Sequence, residues 1–413
     1  MCAQNDLKTK RKINTSVLYL IAVVLGIGCG LSEIPLLESL GQVISDVFIK
    51  MFKCISLPLI SLSIMVTVCQ YASDGGMKQI WQRTLAYTLG TTLVAATVAF
   101  FLYWIISPEN IVSQQTVVPE SEGALTQGSY FSYLVQIIPG NIFEPFLEHH
   151  VMGVLLVSMV VGVAIRYIPD DKSRLTMTHF LQGAHGLFLV VTGWIVKIIP
   201  IGLFGFIVAT IIELKSGMDM RGLGEYLAIV VLANLIQGFV ILPLWLSMNG
   251  VRPFVAMRGM LPALSVAFFS KSSAGTLPIT METAEKNLGV SPAISRFVLP
   301  LCTSINMNGC AAFIFVTVIY LMQNHGMDIS LMTMLSWIVI ATVAAIGNAG
   351  VPMGCFFLSA SLLTSMNVPI TLLGLILPFY SIIDMIETAL NVWSDSCVAK
   401  VVDEKRTIMS AEA

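Results

Sequence analysis

Charged residues are scarce in this sequence of 413 residues. Asp, Glu, Lys and Arg make up 11% of the chain, whereas an ordinary soluble domain contains about 25%. The net charge is −2, so the composition offers no basic surface, and we expect no nucleic-acid partner. Because 56% of the residues are hydrophobic, most side chains must meet lipid, and a lipid bilayer is the expected surrounding.

Patterns that would indicate catalysis or metal binding are also missing. The eight cysteines include no CxxC pair and have no histidine nearby. We therefore expect small buried thiols without a metal or disulfide role. Ser270, Ser272 and Ser273 lie beside Lys271, but no histidine is near them in the sequence. A nucleophilic serine normally needs such a base, so the sequence predicts that the protein is not an enzyme.

Long apolar runs are abundant. Five of them are long enough, or nearly so, for a membrane core that needs ~20 helical residues; they cover 15–31, 87–106, 151–165, 187–213 and 226–247. A basic segment precedes the first run, as in a secretory signal, but no small-x-small cleavage site follows. We expect a retained first helix in a multi-pass membrane protein.

The basic residues predict its orientation, because short loops rich in Lys and Arg stay in the cytoplasm. Basic clusters occur at 8–12, 166–174 and 252–258, whereas 107–130 and 322–330 contain no Lys or Arg. An alternating scheme then places both termini in the cytoplasm. We expect a plasma membrane location, as in a bacterial inner membrane.

Two further apolar segments are interrupted by polar residues or glycine. Residues 259–282 contain Ser270–Pro278 in their middle, and residues 333–365 contain Gly347–Gly354. Irregular backbone at membrane depth survives only inside protein or beside a watery cavity, and paired interruptions indicate a transporter's central site. We predict two re-entrant hairpins that enter from opposite sides as inverted repeats. The alternative is two ordinary spans with proline kinks.

The last apolar segment carries acids without nearby bases. No Lys or Arg occurs at 297–399, yet Asp384, Glu387 and Asp395 share one helical face with Thr388 and Asn391. Each ionisable group at this depth costs at least ~2.5–3.5 kcal/mol. The charges need a cation, which we expect to be a metal ion, a substrate ammonium, a proton or Lys271. The alternative is that this face meets solvent at the end of the helix, which would account for Asp395 better than for Asp384.

Four motifs together resemble the dicarboxylate/amino acid:cation symporters, the glutamate transporter family. They are Ser270-Lys271-Ser272-Ser273-Ala274-Gly275-Thr276-Leu277-Pro278, Asn306-Met307-Asn308-Gly309, Gly347-Asn348-Ala349-Gly350-Val351-Pro352, and the segment from Asp384 to Asp395. The segment Ile138-Pro139-Gly140-Asn141 is also similar to the family's sequence before its fourth helix.

The resemblance implies an all-α integral membrane homotrimer with eight transmembrane helices and the two re-entrant hairpins. Residues 1–250 would form mainly the scaffold, with the helices at about 82–106 and 223–247 partly in the transport domain. Residues 251–402 would form the core transport domain, which moves like an elevator, and 403–413 a cytoplasmic tail. The helix count, the trimer and the two domains are expectations from the family resemblance, whereas the apolar runs by themselves predict only membrane helices.

The resemblance also implies the residues that bind substrate and ions. The expected substrate-binding residues are Lys271, Ser272, Ser273, Thr276, Val351, Gly354, Asp384, Glu387, Thr388 and Asn391. The expected sodium-binding residues are Thr91, Thr92, Asn306, Asn308, Ala345, Asn348, Asn391 and Asp395. In family members the substrate's α-carboxylate meets the serine-rich tip of the first hairpin, and its ammonium meets the position of Asp384.

Three departures from the family pattern refine the expectation. Glu387 stands where members that take acidic substrates have Arg, so we expect a neutral or cationic amino acid; glutamate, aspartate or a dicarboxylate is the alternative. Asn308 replaces the usual Asp of one sodium site, so we expect fewer coupled Na⁺ ions, or H⁺ as coupling ion. Met353 occupies a position that usually holds a small residue in the family.

A channel is the competing interpretation of the sequence. A channel would need a continuous polar path, whereas the polar residues here cluster at one depth.

Overall fold

The structure is a computed structural model, and it describes residues 15–32, 34–69, 77–111, 138–148, 151–215, 221–348 and 353–412. Within these ranges the regular structure is helical, without a strand. The helices are α1 (Thr15–Leu31), α2 (Pro35–Cys69), α3 (Met77–Ile106), α4 (Glu144–Leu147), α5 (Val151–Arg166), α6 (Asp171–Lys215), α7 (Arg221–Ile236), α8 (Leu242–Met248), α9 (Pro253–Ser270), α10 (Ser273–Leu288), α11 (Pro292–Ile305), α12 (Asn308–Asn324), α13 (Leu331–Ala345), α14 (Gly354–Ser365) and α15 (Thr371–Glu412).

Several helices are long and apolar enough to cross a membrane. Within the described ranges there are six such segments, or seven if Asp171–Ile195 and Lys197–Ala209, which meet at 51°, count as one bent span. The six are Gln79–Ile106, Arg221–Met248, Pro253–Ser270, Pro292–Asn324, Leu331–Asn348 and Leu372–Lys405. The prediction of a multi-pass helical membrane protein is confirmed, while the count of eight spans stays a prediction.

The first part of the chain packs through close helix contacts. Helix α2 lies against α1, α5 and α6. A methyl group built on Gly205 would lie 2.8 Å from the carbonyl oxygen of Gly41, and one on Gly41 would overlap Val208. Only glycine permits this approach, and small residues are typical of helix contacts in membranes.

The later part of the chain surrounds α12, which is buried over nearly its whole length. Every residue of α12 from Asn308 to Met322 is buried, and α3, α7, α13, α14 and α15 pack around it. Because α12 touches so many elements, residues at its N-terminus lie where several of them converge.

The interruptions expected from the sequence are present. Helix α9 ends at Ser270, and Lys271 adopts the left-handed conformation (φ 54°) before α10 begins at Ser273. Helix α13 continues as the 3₁₀ turn Ile346–Asn348, and α14 begins at Gly354 after the left-handed Met353 (φ 62°). Residues 349–352 lie outside the described residues. Whether the two segments are re-entrant stays a prediction.

Two other helices are interrupted near the centre. The segment from Pro292 to Asn324 is unwound at Asn306 and Met307, since α11 ends at Ile305 and α12 begins at Asn308. Between α7 and α8 the chain forms a π-helical turn, Gln237–Ile241. Such single π turns occur often at functional sites, and Gln237, the first residue of this one, is fully buried.

Candidate functional site

The acids of α15 are buried in the centre of the protein. Glu387 and Asp395 are each 1% exposed, and Asp384 is 5% exposed. They share one face because α15 is continuous through these positions. Three buried carboxyl groups on one helix face are costly at membrane depth, so their neighbours decide what this face can do.

Asp384 and Glu387 line a small pocket. Its wall comes from four places in the fold: the start of α10, the start of α12, the 3₁₀ turn after α13, and α15. The lining residues are Ser273, Cys310, Asn348, Asp384, Glu387, Thr388 and Asn391. The free space inside holds about one water molecule, so a larger solute enters only if the walls move apart.

Asp384 is reached by both interrupted segments. The backbone N–H of Met353, next to the start of α14, donates to Oδ2 of Asp384 at 3.3 Å. From the other segment, Lys271 interacts electrostatically with Asp384, while its Nζ donates to the hydroxyl of Ser381 at 2.7 Å. Asp384 therefore accepts one backbone hydrogen bond and lies in the field of Lys271, whose ammonium group is bonded to Ser381.

Glu387 is much less satisfied. The hydroxyl of Tyr380 donates to its Oε2 over a long distance of 3.4 Å, and Oε1 has no hydrogen-bond partner within the described part of the chain. Asp384 lies near enough for its charge to oppose that of Glu387. A buried carboxylate with a free oxygen beside a second carboxylate favours a cationic or hydrogen-bond-donating ligand.

A second polar cluster surrounds Asp395. Its Oδ1 accepts from Nδ2 of Asn306 at 2.9 Å, and Asn306 Oδ1 accepts from Nδ2 of Asn308, also at 2.9 Å. Asn308 Nδ2 also contacts the Ser394 hydroxyl at 2.8 Å, and Thr91 Oγ1 lies 3.1 Å from Asn306 Oδ1. Amide NH₂ groups thus face the oxygen atoms that would otherwise attract a cation.

Gln237 is a member of this cluster that the sequence reasoning missed. Its Nε2 donates to Asn308 Oδ1 at 2.7 Å and to the carbonyl of Thr91 at 3.1 Å. A lone Gln inside the apolar run 226–247 was the available signal, but its partners Thr91 and Asn308 lie far away in the sequence. Ser394 was missed as well, because it lies beside Asp395 in the sequence and looked like an ordinary helix residue.

The predicted residues separate into groups. The pocket includes Ser273, Asn348, Asp384, Glu387, Thr388 and Asn391, and the Asp395 cluster includes Thr91, Asn306 and Asn308. Ser272 and Thr276 bond within the first segment, where Ser272 Oγ accepts from the N–H of Gly275 and Thr276 Oγ1 donates to the carbonyl of Ser272.

Four predicted residues, Thr92, Ala345, Val351 and Gly354, belong to neither group. The hydroxyl of Thr92 is buried without a partner in the described ranges, and Ala345 is buried at the end of α13. A methyl group built on Gly354 would overlap Asn348 Oδ1, so Gly354 lets α14 begin against that amide. Val351 lies outside the described residues.

The expectation that all cysteines are separate thiols is wrong. Cys310 and Cys355 form a disulfide with a Cα–Cα distance of 5.5 Å. They are 45 residues apart in the sequence, and only the packing of α14 on the start of α12 brings them together. Spacing alone could not reveal this pair.

The helices and the buried acidic pocket define a multi-pass membrane protein with an internal polar site. The chain belongs to the sodium:dicarboxylate symporter family, whose sequence pattern matches residues 16–405. Membership of this family of transporters confirms the prediction that the protein is a transporter and not an enzyme.

Individual relatives are distant but match over most of the chain. A Caenorhabditis elegans protein, glt-4, named as a candidate sodium-dependent excitatory amino acid transporter, is 26% identical over 95% of this chain and 90% of its own length. The rabbit neutral amino acid transporter B(0) is 25% identical over 96% of this chain and 81% of its own length. The bovine neutral amino acid transporter A is 26% identical over 86% of this chain and 74% of its own length.

Proposed function

We propose that this protein is a secondary active symporter that imports a neutral or cationic amino acid, driven by a gradient of sodium ions or protons. The observation that carries the proposal is the pair of buried carboxyl groups, Asp384 and Glu387, in one pocket. The two neutral amino acid transporters among the relatives support the same substrate class.

The pocket offers a separate partner for each end of an amino acid. Asp384 binds the α-ammonium, assisted by Thr388 and Asn391. The hydroxyl and backbone N–H groups at Ser272 and Ser273 bind the α-carboxylate, with Lys271 as the nearby cation. Thr276, Val351 and Gly354 complete the substrate site at the tips of the two segments.

Glu387 then selects the side chain. A substrate carboxylate about 4 Å from the Glu387 carboxylate would be repelled by about 4 kcal/mol at the effective dielectric constant of protein sites. A neutral or basic side chain avoids this repulsion, and a donor group on it would satisfy the free Oε1 of Glu387.

Uptake into proteoliposomes tests the substrate class. We expect a neutral or basic radiolabelled amino acid to accumulate under an imposed gradient, without competition from glutamate or aspartate. Glu387→Gln should weaken uptake of a basic substrate and allow acidic amino acids to compete. Glutamate or aspartate uptake that Glu387→Gln leaves unaffected would contradict the role of Glu387.

The alternative is an acidic substrate, glutamate, aspartate or a dicarboxylate. The family description and the excitatory amino acid transporter among the relatives favour it, and Lys271 offers a nearby cation for a second carboxylate. The same uptake panel separates the two classes, because a dicarboxylate without an ammonium group would not use Asp384.

We propose Na⁺ as the coupling ion, with H⁺ as the alternative. The sodium-binding residues would be Asp395 with Asn306 and Asn391, and the oxygens near Ala345 and Asn348. The site of Thr91, Thr92 and Asn308 is weak, because Asn308 has no charge and its amide already bonds to Asn306 and Ser394.

Restoring that charge tests the ion assignment. Asn308→Asp replaces the NH₂ donor with a second carboxylate oxygen, so we expect the Hill coefficient of uptake for Na⁺ to rise. Asn234→Asp is a matched control, since Asn234 is a buried amide on α7 that donates to the carbonyl of Val230. An unchanged sodium dependence in Asn308→Asp would contradict the assignment.

We further propose the family's assembly for this chain: a homotrimer in the plasma membrane with both termini in the cytoplasm, eight spans and two re-entrant hairpins. Residues 1–250 form mainly the scaffold, and 251–402 form the transport domain that moves as an elevator. Native mass spectrometry tests the trimer, and labelling of single cysteines from each side of the membrane tests the orientation.

A further inference from the structure

The disulfide between Cys310 and Cys355 joins two helices at the pocket. Cys310 is the third residue of α12 and lines the pocket, and Cys355 is the second residue of α14. Both are 1% exposed. The five cysteines that are free within the described ranges include buried Cys302 and Cys397, so burial alone does not place a cysteine in a pair.

Pocket side chains surround the two sulfur atoms. Asn348 Nδ2 donates to Cys310 Sγ at 2.8 Å and to Cys355 Sγ at 3.4 Å. Asn391 Nδ2 lies 3.4 Å from Cys310 Sγ. The disulfide therefore belongs to the wall that Asn348 and Asn391 form, rather than to a distant part of the core.

This wall must move for any amino acid to enter. The pocket holds about one water molecule, whereas an amino acid fills the space of several. Helix α14 packs on α12, and its preceding residue, Met353, contacts Asp384. Separation of α14 from α12 would enlarge the pocket at Asn348, and a covalent bond between their first turns prevents that separation.

We propose that Cys310 and Cys355 form a reversible disulfide that locks the pocket closed, so that thiol–disulfide exchange controls access to it. This inference rests on the proposed function, because the controlled process is amino-acid uptake. The reduced pair allows α14 to move away from α12, and the oxidised pair holds the protein in the closed arrangement.

The lock forms by exchange with a small-molecule disulfide such as oxidised glutathione. The thiolate of one cysteine attacks a sulfur of that disulfide and releases one thiol, leaving a mixed disulfide on the protein. The second cysteine thiolate then attacks the protein-side sulfur and releases the second thiol. The two cysteine protons pass to the two departing thiolates, so one disulfide is reduced for each lock formed.

Burial of the pair sets the order of events. Because both sulfurs are inaccessible when α14 packs on α12, the small disulfide reacts while the pocket is open. Closure then brings the second sulfur to the mixed disulfide and completes the lock. A reductant must likewise wait for transient opening of the helix pair.

Uptake by proteoliposomes treated with oxidised glutathione or with dithiothreitol tests the proposal. We expect loss of uptake after oxidation, recovery after reduction, and a Cys310–Cys355 crosslinked peptide by mass spectrometry only in the oxidised sample. In Cys310→Ser and Cys355→Ser the ratio of oxidised to reduced uptake should become one. Cys302→Ser, a buried free cysteine on α11, should keep the wild-type ratio.

Hydrogen–deuterium exchange of peptides from α14 provides a readout without transport. Reduction should speed exchange in wild type and Cys302→Ser but have no effect in Cys355→Ser. Measurable uptake that is equal in both redox states, or absence of the crosslink after oxidation, would overturn the lock. If exchange responds but no amino acid is taken up in either state, the lock stands and the proposed function fails.

A soft metal ion is the competing occupant of the reduced pair. Cys310, Cys355 and Glu387 each place a ligand atom within 4.8 Å of the others, and thiolates favour such ions. Inhibition by Cd²⁺ that Cys310→Ser and Glu387→Gln both remove, together with insensitivity to oxidised glutathione, would replace the lock with a metal site.

Discussion

The two interrupted segments have similar layouts but are held in different ways. In the first, α9 and α10 pack against each other, and its tip is bonded internally through Ser272 and Thr276. In the second, α13 and α14 both pack on α12, and the start of α14 is joined to that helix by the disulfide. The helices of the first segment therefore pack on each other as well as on α11 and α15, whereas those of the second are held together through their neighbours.

Their burial follows the same division. Residues Gly354–Leu363 of α14 are all buried, whereas α10 buries mainly one polar face that includes Ser273, Thr276 and Thr280. Among the described residues, each tip has a left-handed residue that is not glycine: Lys271 in the first and Met353 in the second. The first tip thus places Ser273 in the pocket wall, while the second places Asn348 there and donates the backbone N–H of Met353 to Asp384.

Asp384 is the residue on which both segments depend, so its replacement should have the largest effect. Asp384→Asn removes the charge that Lys271 and the substrate ammonium would share. Loss of one partner from a buried charged pair costs about 2–5 kcal/mol, so we expect the substrate Kd, measured by calorimetry, to rise at least about 30-fold.

Asp403→Asn is the matched control for this change. Asp403 is a buried carboxylate on the same helix, α15, and it accepts hydrogen bonds from the N–H and hydroxyl of Ser291. We expect lower thermal stability but an unchanged Kd. An equal loss of affinity in both variants would mean that α15 is generally disturbed and that Asp384 has no special role.

Lys271→Met tests the contribution of the first segment alone. It removes the bond from Nζ to Ser381 and the cation near Asp384, while the contact from Met353 remains. A hydrogen bond from a charged group contributes about 1.5–3 kcal/mol, so we expect the KM of uptake to rise roughly tenfold. Lys286→Met is the control, since Lys286 pairs with Glu282 on the exposed face of α10.

The comparison with Asp384→Asn decides which segment matters more. An effect of Lys271→Met as large as that of Asp384→Asn would make the first tip the main partner of Asp384. An unchanged KM would instead assign that role to the backbone N–H of Met353, and so to the second segment.

The features that the sequence predicted depend on local order along the chain. The acid stripe of α15 follows from steps of three and four in a continuous helix. The two interruptions follow from serine, glycine and proline in apolar runs. Such patterns are independent of tertiary packing, which explains why Asp384, Glu387, Thr388 and Asn391 appear together in the pocket.

The features that the sequence did not predict depend on packing between segments that are distant along the chain. Cys310 meets Cys355 because α14 packs on α12, and Gln237, the first residue of a π-helical turn, donates to Asn308 from a distant helix. Neither the helix contact nor the turn has a signature in the residues themselves. The same limit applies to Ser272 and Thr276, whose internal hydrogen bonds the sequence did not predict, while their substrate-binding role stays a prediction.

Removal of one helix cap from each segment should have the smallest effect and should separate structure from binding. Ser272 Oγ accepts from the N–H of Gly275 at the start of α10, and Ser330 Oγ accepts from the N–H of Thr333 at the start of α13. Loss of such a cap costs about 1 kcal/mol, so Ser272→Ala and Ser330→Ala should lower Tm by similar small amounts. Only Ser272→Ala should also raise KM, because Ser330 lies at the far end of its segment. A higher KM in both variants would mean that the second segment transmits small changes in stability to the pocket as readily as the first.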